Sequence, residues 1–369
     1  MTLKPGRAIF SRLTLDGTPY AASRKSARPR YADVSEPPLS VLLPCRDSAV
    51  HLPQAIRSLS LQTYRDFEVV AVNDGSRDET ADVLERWAAR DERVRVVHQE
   101  RVGLAETLRA AAALCRGEIL ARADADDVAH PRRFAEQVAL LAARRELSAV
   151  GTQVRYFPHQ QVGWGARRYQ QWLNGLAEPE SLARDVFVEC PIAHPTLMIR
   201  RSALEEAGGY RANGWPEDYD LVLRLHLAGA QLANVPRVLH FWREGNERAS
   251  RTDLRYSAAA FRKCKIYYLR QDCLKEREAV NLWGAGRVGK DFARALLDEG
   301  LRVRGFFDID PRRIGQEIYG APVWDAREVK GQRDTYLLVV VGAPGARELI
   351  RELLAEAGFR EPEDYRCVA

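Results

Sequence analysis

Between residues 39 and 122, short apolar runs alternate with stretches whose apolar positions recur every three or four residues. Leu39–Leu43, Phe67–Val72, Val94–His98 and Glu118–Arg122 have the length and content of buried strands, and Leu52–Ser60, Asp78–Ala89 and Leu104–Ala113 between them carry helical spacing. That alternation predicts a parallel, doubly wound sheet. From Gly151 to Glu189 the period is lost among aromatics and glycines (Tyr156, Phe157, Trp164, Trp172), so this stretch reads as an irregular lid or acceptor region. Regularity returns with Ala193–Ile199, a short helix from Ser202, a turn at Gly208–Gly209 and a helix opening near Pro216.

A second pattern begins later. Thr252 to about Glu278 is rich in helix formers, with Leu254, Ala258, Phe261, Lys265 and Tyr268 on helical spacing, and predicts a connector. Ala279–Trp283 is a fresh strand, followed by Gly284-x-Gly286-x-x-Gly289, a helix to about Asp298, and a strand Val303–Phe307 that delivers Asp308. Leu337–Val341 and Glu348–Ala357 complete a small α/β unit. Glycines in that context allow a tight turn and close backbone approach to a pyrophosphate at a helix N-terminus, with an acid left for ribose hydroxyls. The unit resembles a Rossmann-type domain whose Gly284, Gly286, Gly289 and Asp308 would hold a nucleotide or NAD(P). A purely structural or oligomer-forming role is the alternative, and no tyrosine–lysine pair for hydride transfer is evident. The expected division is a basic N-terminal segment 1–37, an α/β domain 38–250, a helical connector 251–278 and the small α/β domain 279–369.

Composition narrows the setting. A chain of 369 residues with 46% hydrophobic and 29% charged residues is globular and long enough for two domains. Its six cysteines are scattered without a Cys-x-x-Cys pair, which points away from zinc and disulfides and towards a reducing cytoplasm. No apolar run approaches the ~20 residues that span a bilayer, and no secretory leader is expected. The net charge is +5, and residues 1–38 hold seven bases against three acids, which is +4 of it. That segment is either a solvated tail or a peripheral contact with anionic lipid at the inner face of the membrane. The remainder is near neutral and has no basic stripe with interleaved aromatics, so nucleic acid is not an expected partner.

Four segments carry candidate chemistry. Ser40–Arg46 is a strand ending in Pro44 that delivers Arg46 to the crevice beyond the sheet, and Val70–Thr80 places Asp74 between a strand and a glycine turn. Asp124, Asp126 and Asp127 cluster where a short strand ends, a grouping that can hold a hard divalent cation. Trp215–Arg224 opens a helix with Glu217 and Asp218. Three of them have a plainer reading: Asp74–Gly75 is a good turn, the trio a solvated loop, and Glu217 and Asp218 complement a helix dipole. Their order on one alternating frame favours a shared site.

Together with His194–Arg201, these segments resemble a family 2 glycosyltransferase of the GT-A fold over roughly residues 38–250. The resemblance implies a mixed GT-A sheet and a donor site in which Asp74 contacts the nucleoside base and Asp124 the ribose or metal. It also implies Mn²⁺ or Mg²⁺ on Asp126 and Asp127, and Asp218 as the base of an inverting transfer. Pro44, Arg46 and Arg243 join the expected donor site, Arg243 beside the diphosphate. Relatives often carry a histidine just after this point, whereas here His240–Asn246 has none following Arg243. His194 reads as either a phosphate or acceptor contact or a satisfied core residue, and Trp242 as either a diphosphate neighbour or a structural ring. The chain lacks the Gln-x-x-Arg-Trp motif of processive relatives, so the expected reaction moves one sugar from a nucleotide donor, a UDP-sugar, to a glycan or lipid-linked acceptor in surface polysaccharide synthesis. A nucleotidyltransferase on the same frame, or a bifunctional protein that oxidises or epimerises a sugar in its second unit, are the alternatives. The sugar, the linkage and the oligomeric state are not encoded legibly.

Overall fold

A computed structural model of the chain describes residues 38–245 and 253–369; the expected basic segment 1–37 and its lipid contact, and the Asn246–Thr252 stretch, lie outside the described residues. Strand β2 (Phe67–Asp74) is buried at every position, as a strand covered by helices on both faces must be. It pairs in parallel with β1 (Leu39–Cys45) and β3 (Val94–Gln99), and β1 pairs in parallel with β4 (Ile119–Arg122). Helices α1 (Leu52–Ser60), α2 (Thr80–Ala88) and α3 (Leu104–Leu114) make the crossovers. This half therefore follows the alternation read from the sequence.

Beyond β4 the sheet becomes mixed. The two-residue β5 (Val128–Ala129) is followed by α4 (Arg133–Ala143), the long β6 (Leu147–Phe157), β7 (Met198–Arg200) and the long β8 (Gln231–Arg243). The strand order is β3-β2-β1-β4-β7-β6-β8-β5, with β7 antiparallel to both β4 and β6. The stretch expected to be irregular is ordered instead. It holds the end of β6, α5 (Trp164–Asn174) and α6 (Pro179–Asp185), while α7 (Arg201–Glu206) and α8 (Glu217–Leu227) follow. In α5 only Leu173 is fully buried, so its apolar period is too thin to read.

The connector forms α9 (Ala258–Leu269), after which β9 (Ala279–Trp283), α10 (Arg287–Asp298), β10 (Arg302–Asp308), β11 (Glu317–Ile318), β12 (Ala321–Asp325), β13 (Leu337–Val339), α11 (Ala346–Glu356) and β14 (Tyr365–Cys367) build a second sheet in the order β11-β12-β10-β9-β13-β14. One apolar core runs from Leu42 and Val70 through Cys264, Ile266 and Leu269 of α9 to Leu282 and Leu338. Polar bolts reinforce it: buried Lys265 donates to the carbonyls of Val188 and Val368 at 2.7 and 3.1 Å, and Arg351 pairs with Asp185 at 2.6 Å. The second sheet thus grips the α6 region next to the first.

In the turn after β9, Gly284 has φ +116° and a Cβ on Gly289 would lie 1.8 Å from the Gly284 carbonyl oxygen. Gly289→Ala must therefore push α10 off β9, at a cost of about 1–3 kcal/mol. A thermal melt should show a lower midpoint than the natural chain, and equal midpoints would refute the tight packing.

Candidate active site

The carboxyl edge of the first sheet carries several of the candidate side chains. Register places Pro44 beside Val72 and Cys45 beside Asn73, so the ends of β1 and β2 emerge together. Arg46 donates from Nη1 to the Asp74 carbonyl at 3.4 Å. The Asp74 carboxylate is buried and accepts from three donors: Gln99 Nε2 at 3.0 Å and the amides of Val102 and Gly103 at 2.8 and 2.9 Å. Burial pushes this carboxyl up, but those hydrogen bonds outweigh it and hold the group below its ordinary range. Asp74 thereby fixes the loop that starts α3.

Between β4 and β5, Asp124, Asp126 and Asp127 each present a carboxylate oxygen within 4.8 Å of the other two. Asp124 pairs with the buried Arg122 at 2.6 Å, and Arg133, also fully buried, donates to the Arg122 carbonyl at 2.6 Å. Burial brings the Arg133 guanidinium down to about 9 against the pull of Asp124 and Asp127. Because β5 pairs antiparallel with β8, Ala129 lies opposite His240. His240 Nε2 then meets Asp127 Oδ2 at 2.8 Å, and the Arg243 amide donates to Asp127 Oδ1 at 2.7 Å. Arg243 also donates from Nε to the Asp126 carbonyl at 2.6 Å and stacks over Phe157 at 4.5 Å. The histidine on this strand thus precedes Arg243 by three positions rather than following it. Trp242 stacks on Tyr156 with centroids 5.1 Å apart, its wall completed by Tyr169.

Helix α8 brings the other acids. Its start is pinned by fully buried Asp220, which accepts from Trp215 Nε1 and the Tyr268 hydroxyl, each at 2.7 Å, and from Arg224 Nε at 2.8 Å. Asp218 keeps partial exposure and accepts from the Tyr219 amide at 2.7 Å. Burial first and neighbouring Glu217 second push its carboxyl up to about 6, against His194 and the Tyr219 amide. Glu217 moves the other way: burial raises it, but His194 and the Tyr256 hydroxyl bring it below its usual range. His194 is buried, between Glu217 at 3.4 Å and the Tyr210 hydroxyl at 3.3 Å, as a satisfied core histidine is.

Tyr210 joins the two clusters. It is close enough to feel the charges of Arg122, Asp124, Glu217 and Asp218. Asp124 of the trio and Asp218 thus both lie near Tyr210, and Arg243 lies against the trio. Sequence reading did not single out Arg122, Arg133, Tyr210 or Tyr256; Arg133 had a signal, a second arginine following Pro131 at the mouth of a helix.

In the second sheet, Asp308 lies beside the glycine turn as expected, but its carboxylate is engaged within the protein. It accepts from the Ala285 amide at 2.8 Å, the Asp310 amide at 2.9 Å and Arg313 Nη1 at 3.1 Å. Gly286 heads α10, and a Cβ there would lie 3.6 Å from Arg313 Nη1.

Residues 40–208 match the sequence profile described as Glycosyl transferase family 2. The putative glycosyltransferase EpsE of Bacillus subtilis (strain 168) is 31% identical over 228 residues, covering 60% of this chain and 79% of the relative. The amylovoran biosynthesis glycosyltransferase AmsE of Erwinia amylovora is 30% identical over 203 residues, covering 55% of this chain and 74% of that one. The crystal structure of S. aureus TarS 1–349 in complex with UDP matches at TM-score 0.50 and 14% identity, over 70% of each chain, a likeness of fold alone.

Proposed function

Because the chain belongs to glycosyltransferase family 2, and its larger sheet is of the GT-A type, we propose that it moves one sugar, with inversion, from a UDP-sugar to a hydroxyl of a glycan or lipid-linked acceptor. Relatives named for amylovoran and O-antigen biosynthesis support a place in surface polysaccharide synthesis. Family membership decides against a nucleotidyltransferase. The observation that carries the reading is the carboxylate trio, whose Asp124 lies near the same Tyr210 as the raised-pKa carboxylate of Asp218.

In a single displacement the acceptor oxygen forms its bond to the anomeric carbon as the bond to the diphosphate breaks. Asp218 takes the hydroxyl proton, since a neutral hydroxyl is a weak nucleophile and a carboxylate of raised pKa is a better base. The donor set is three hard carboxylates, which suits Mn²⁺ or Mg²⁺, and Asp126 and Asp127 with Asp124 would hold the ion. Such an ion, when bound, supplies Lewis-acid stabilisation to the leaving diphosphate. Arg243, anchored to the trio's own backbone, adds a cation on the diphosphate side. Pro44 and Arg46 border the nucleoside side, where Asp74 acts by bracing the Val102–Gly103 loop as well as through any contact with the base. Among the described residues no helix is long and apolar enough to cross a membrane, and a peripheral protein at the cytoplasmic face is the placement that suits a lipid-linked acceptor.

For the second sheet the same reading favours bracing. The order β12-β10-β9-β13-β14 is that of doubly wound nucleotide-binding sheets, but a ribose at Asp308 would have to compete with Arg313 and two backbone amides. Arg351 and Lys265 instead tie this sheet to the α6 region.

The pH profile tests the base. An aspartyl carboxyl raised from 3.8 to about 6 is ionised and active above that value and loses activity as pH falls through it. kcat/KM should fall about tenfold per unit below about pH 6. An acidic limb near 4 would mean that a carboxylate of ordinary acidity takes the proton.

A further inference from the structure

Glu217 adjoins the base in the first turn of α8, yet it is withdrawn from solvent, with 2% exposure. Relief of the helix dipole accounts for an acid at this position, but not for its burial or for the partners that reach it. Tyr256 donates its hydroxyl to Glu217 Oε2 at 2.7 Å from a single-turn helix, Leu254–Tyr256, that opens the connector. On the opposite side His194 Nδ1 faces Glu217 Oε1 at 3.4 Å. Two segments distant in the chain thus hold a buried carboxylate where it repels the neighbouring one.

We propose that Tyr256 is a positioning residue for the base: its hydroxyl fixes Glu217 as a buried anion against Asp218, which makes Asp218 a stronger proton acceptor than a lone aspartate. The inference rests on the assignment of Asp218 as base. It also gives the connector a role in the chemistry, because the strength of the base depends on where the Leu254–Tyr256 turn is seated.

The charges around the pair agree. Besides Glu217, Asp218 faces Glu189, which pushes its carboxyl the same way, and His194, which opposes it. Tyr169 of α5, Tyr210, Cys190 and Cys264 of α9 surround it as groups that burial keeps neutral. Arg122 of β4 and Arg255 act on Glu217 from the donor side and the connector. Glu217 is therefore the stronger of the two carboxylates acting on Asp218, and Tyr256 and His194 are what keep it charged despite burial.

The test uses Tyr256→Phe, Glu217→Gln and the double variant in the full chain, with kcat/KM followed across the acidic limb and nucleotide affinity measured alongside. Glu217→Gln should move the limb to lower pH by roughly one unit and lower the plateau, because removing a strongly coupled carboxylate returns Asp218 towards its ordinary acidity. Tyr256→Phe should give part of that shift, since Glu217 without its hydroxyl donor shares the proton, and should add no shift once Glu217 is Gln. Nucleotide affinity should not change in any variant. A limb that stays in place in Tyr256→Phe, or the same extra shift in the Glu217→Gln background, overturns the proposal. If Tyr256→Phe does not fold, an unmoved limb in Glu217→Gln overturns it equally. Failure of the base assignment is separate and shows as turnover surviving in Asp218→Asn.

Discussion

Asp218→Asn should lower the transfer rate by roughly 10²- to 10⁴-fold and leave nucleotide affinity unchanged, the loss expected when a general base is removed without altering the shape of its site. Asparagine keeps an oxygen for the Tyr219 amide, so the first turn of α8 has no reason to move. It cannot accept the proton of an acceptor hydroxyl. The carboxylate trio keeps its own partners, Arg122, His240 and the Arg243 amide. A turnover assay paired with calorimetric nucleotide titration separates the outcomes: near-natural turnover removes the base assignment, and loss of both readouts would put Asp218 in the donor site. Stability supplies a second readout with a definite sign. A carboxyl raised from 3.8 to about 6 disfavours the folded state at neutral pH, so Asn should melt no lower than Asp at pH 7. That advantage should shrink as pH falls through about 6, where the natural carboxyl takes up its proton.

How much of this was legible in the chain depended on whether a residue's partners are local. Leu52–Ser60 reads as a helix because its buried positions Leu52, Ala55 and Leu59 repeat within nine residues, and the helix forms over that span. Strand β2 is legible because burial on both faces leaves an unbroken apolar run. α5 hides because it fully buries one leucine, and its half-buried Tyr169, which packs on Trp172 and on Trp242 of β8, adds too little to make a clear apolar stripe. In the site, the acids themselves are visible at strand and helix ends, but what each one does is not. Asp74 has the look of a turn residue or a ligand contact, and only the fold brings Gln99, Val102 and Gly103 onto its oxygens. His240 and Asp127 are 113 positions apart, and Tyr256 and Glu217 are 39 apart, so neither pair leaves a local signature. The glycine turn of the second sheet shows the converse: the positive φ of Gly284 and the close approach of Gly289 to its carbonyl call for glycine in the packing itself, so their spacing is legible whether or not a nucleotide binds.

The trio should divide its labour between ligation and architecture, and Asp126→Ala and Asp127→Ala separate the two. Asp127 is buried at 3% exposure, with His240 on one oxygen and the Arg243 amide on the other, so it fastens the end of β8 to the loop after β4. Asp126 is more exposed, and its backbone carbonyl receives Arg243 Nε. Removing the Asp126 carboxylate should weaken Mn²⁺ binding measured with UDP present by ~100-fold or more. Removing that of Asp127 should weaken Mn²⁺ binding comparably and also lower the melting temperature, because the buried His240 and the Arg243 amide lose their acceptor inside the protein. Calorimetry of Mn²⁺ with UDP, run beside thermal melts of both variants, reads the two effects independently of turnover. Unaltered Mn²⁺ affinity in Asp126→Ala would remove that carboxylate from the metal site, and a melt of Asp127→Ala identical to the natural chain would mean that the β8 end is fastened elsewhere.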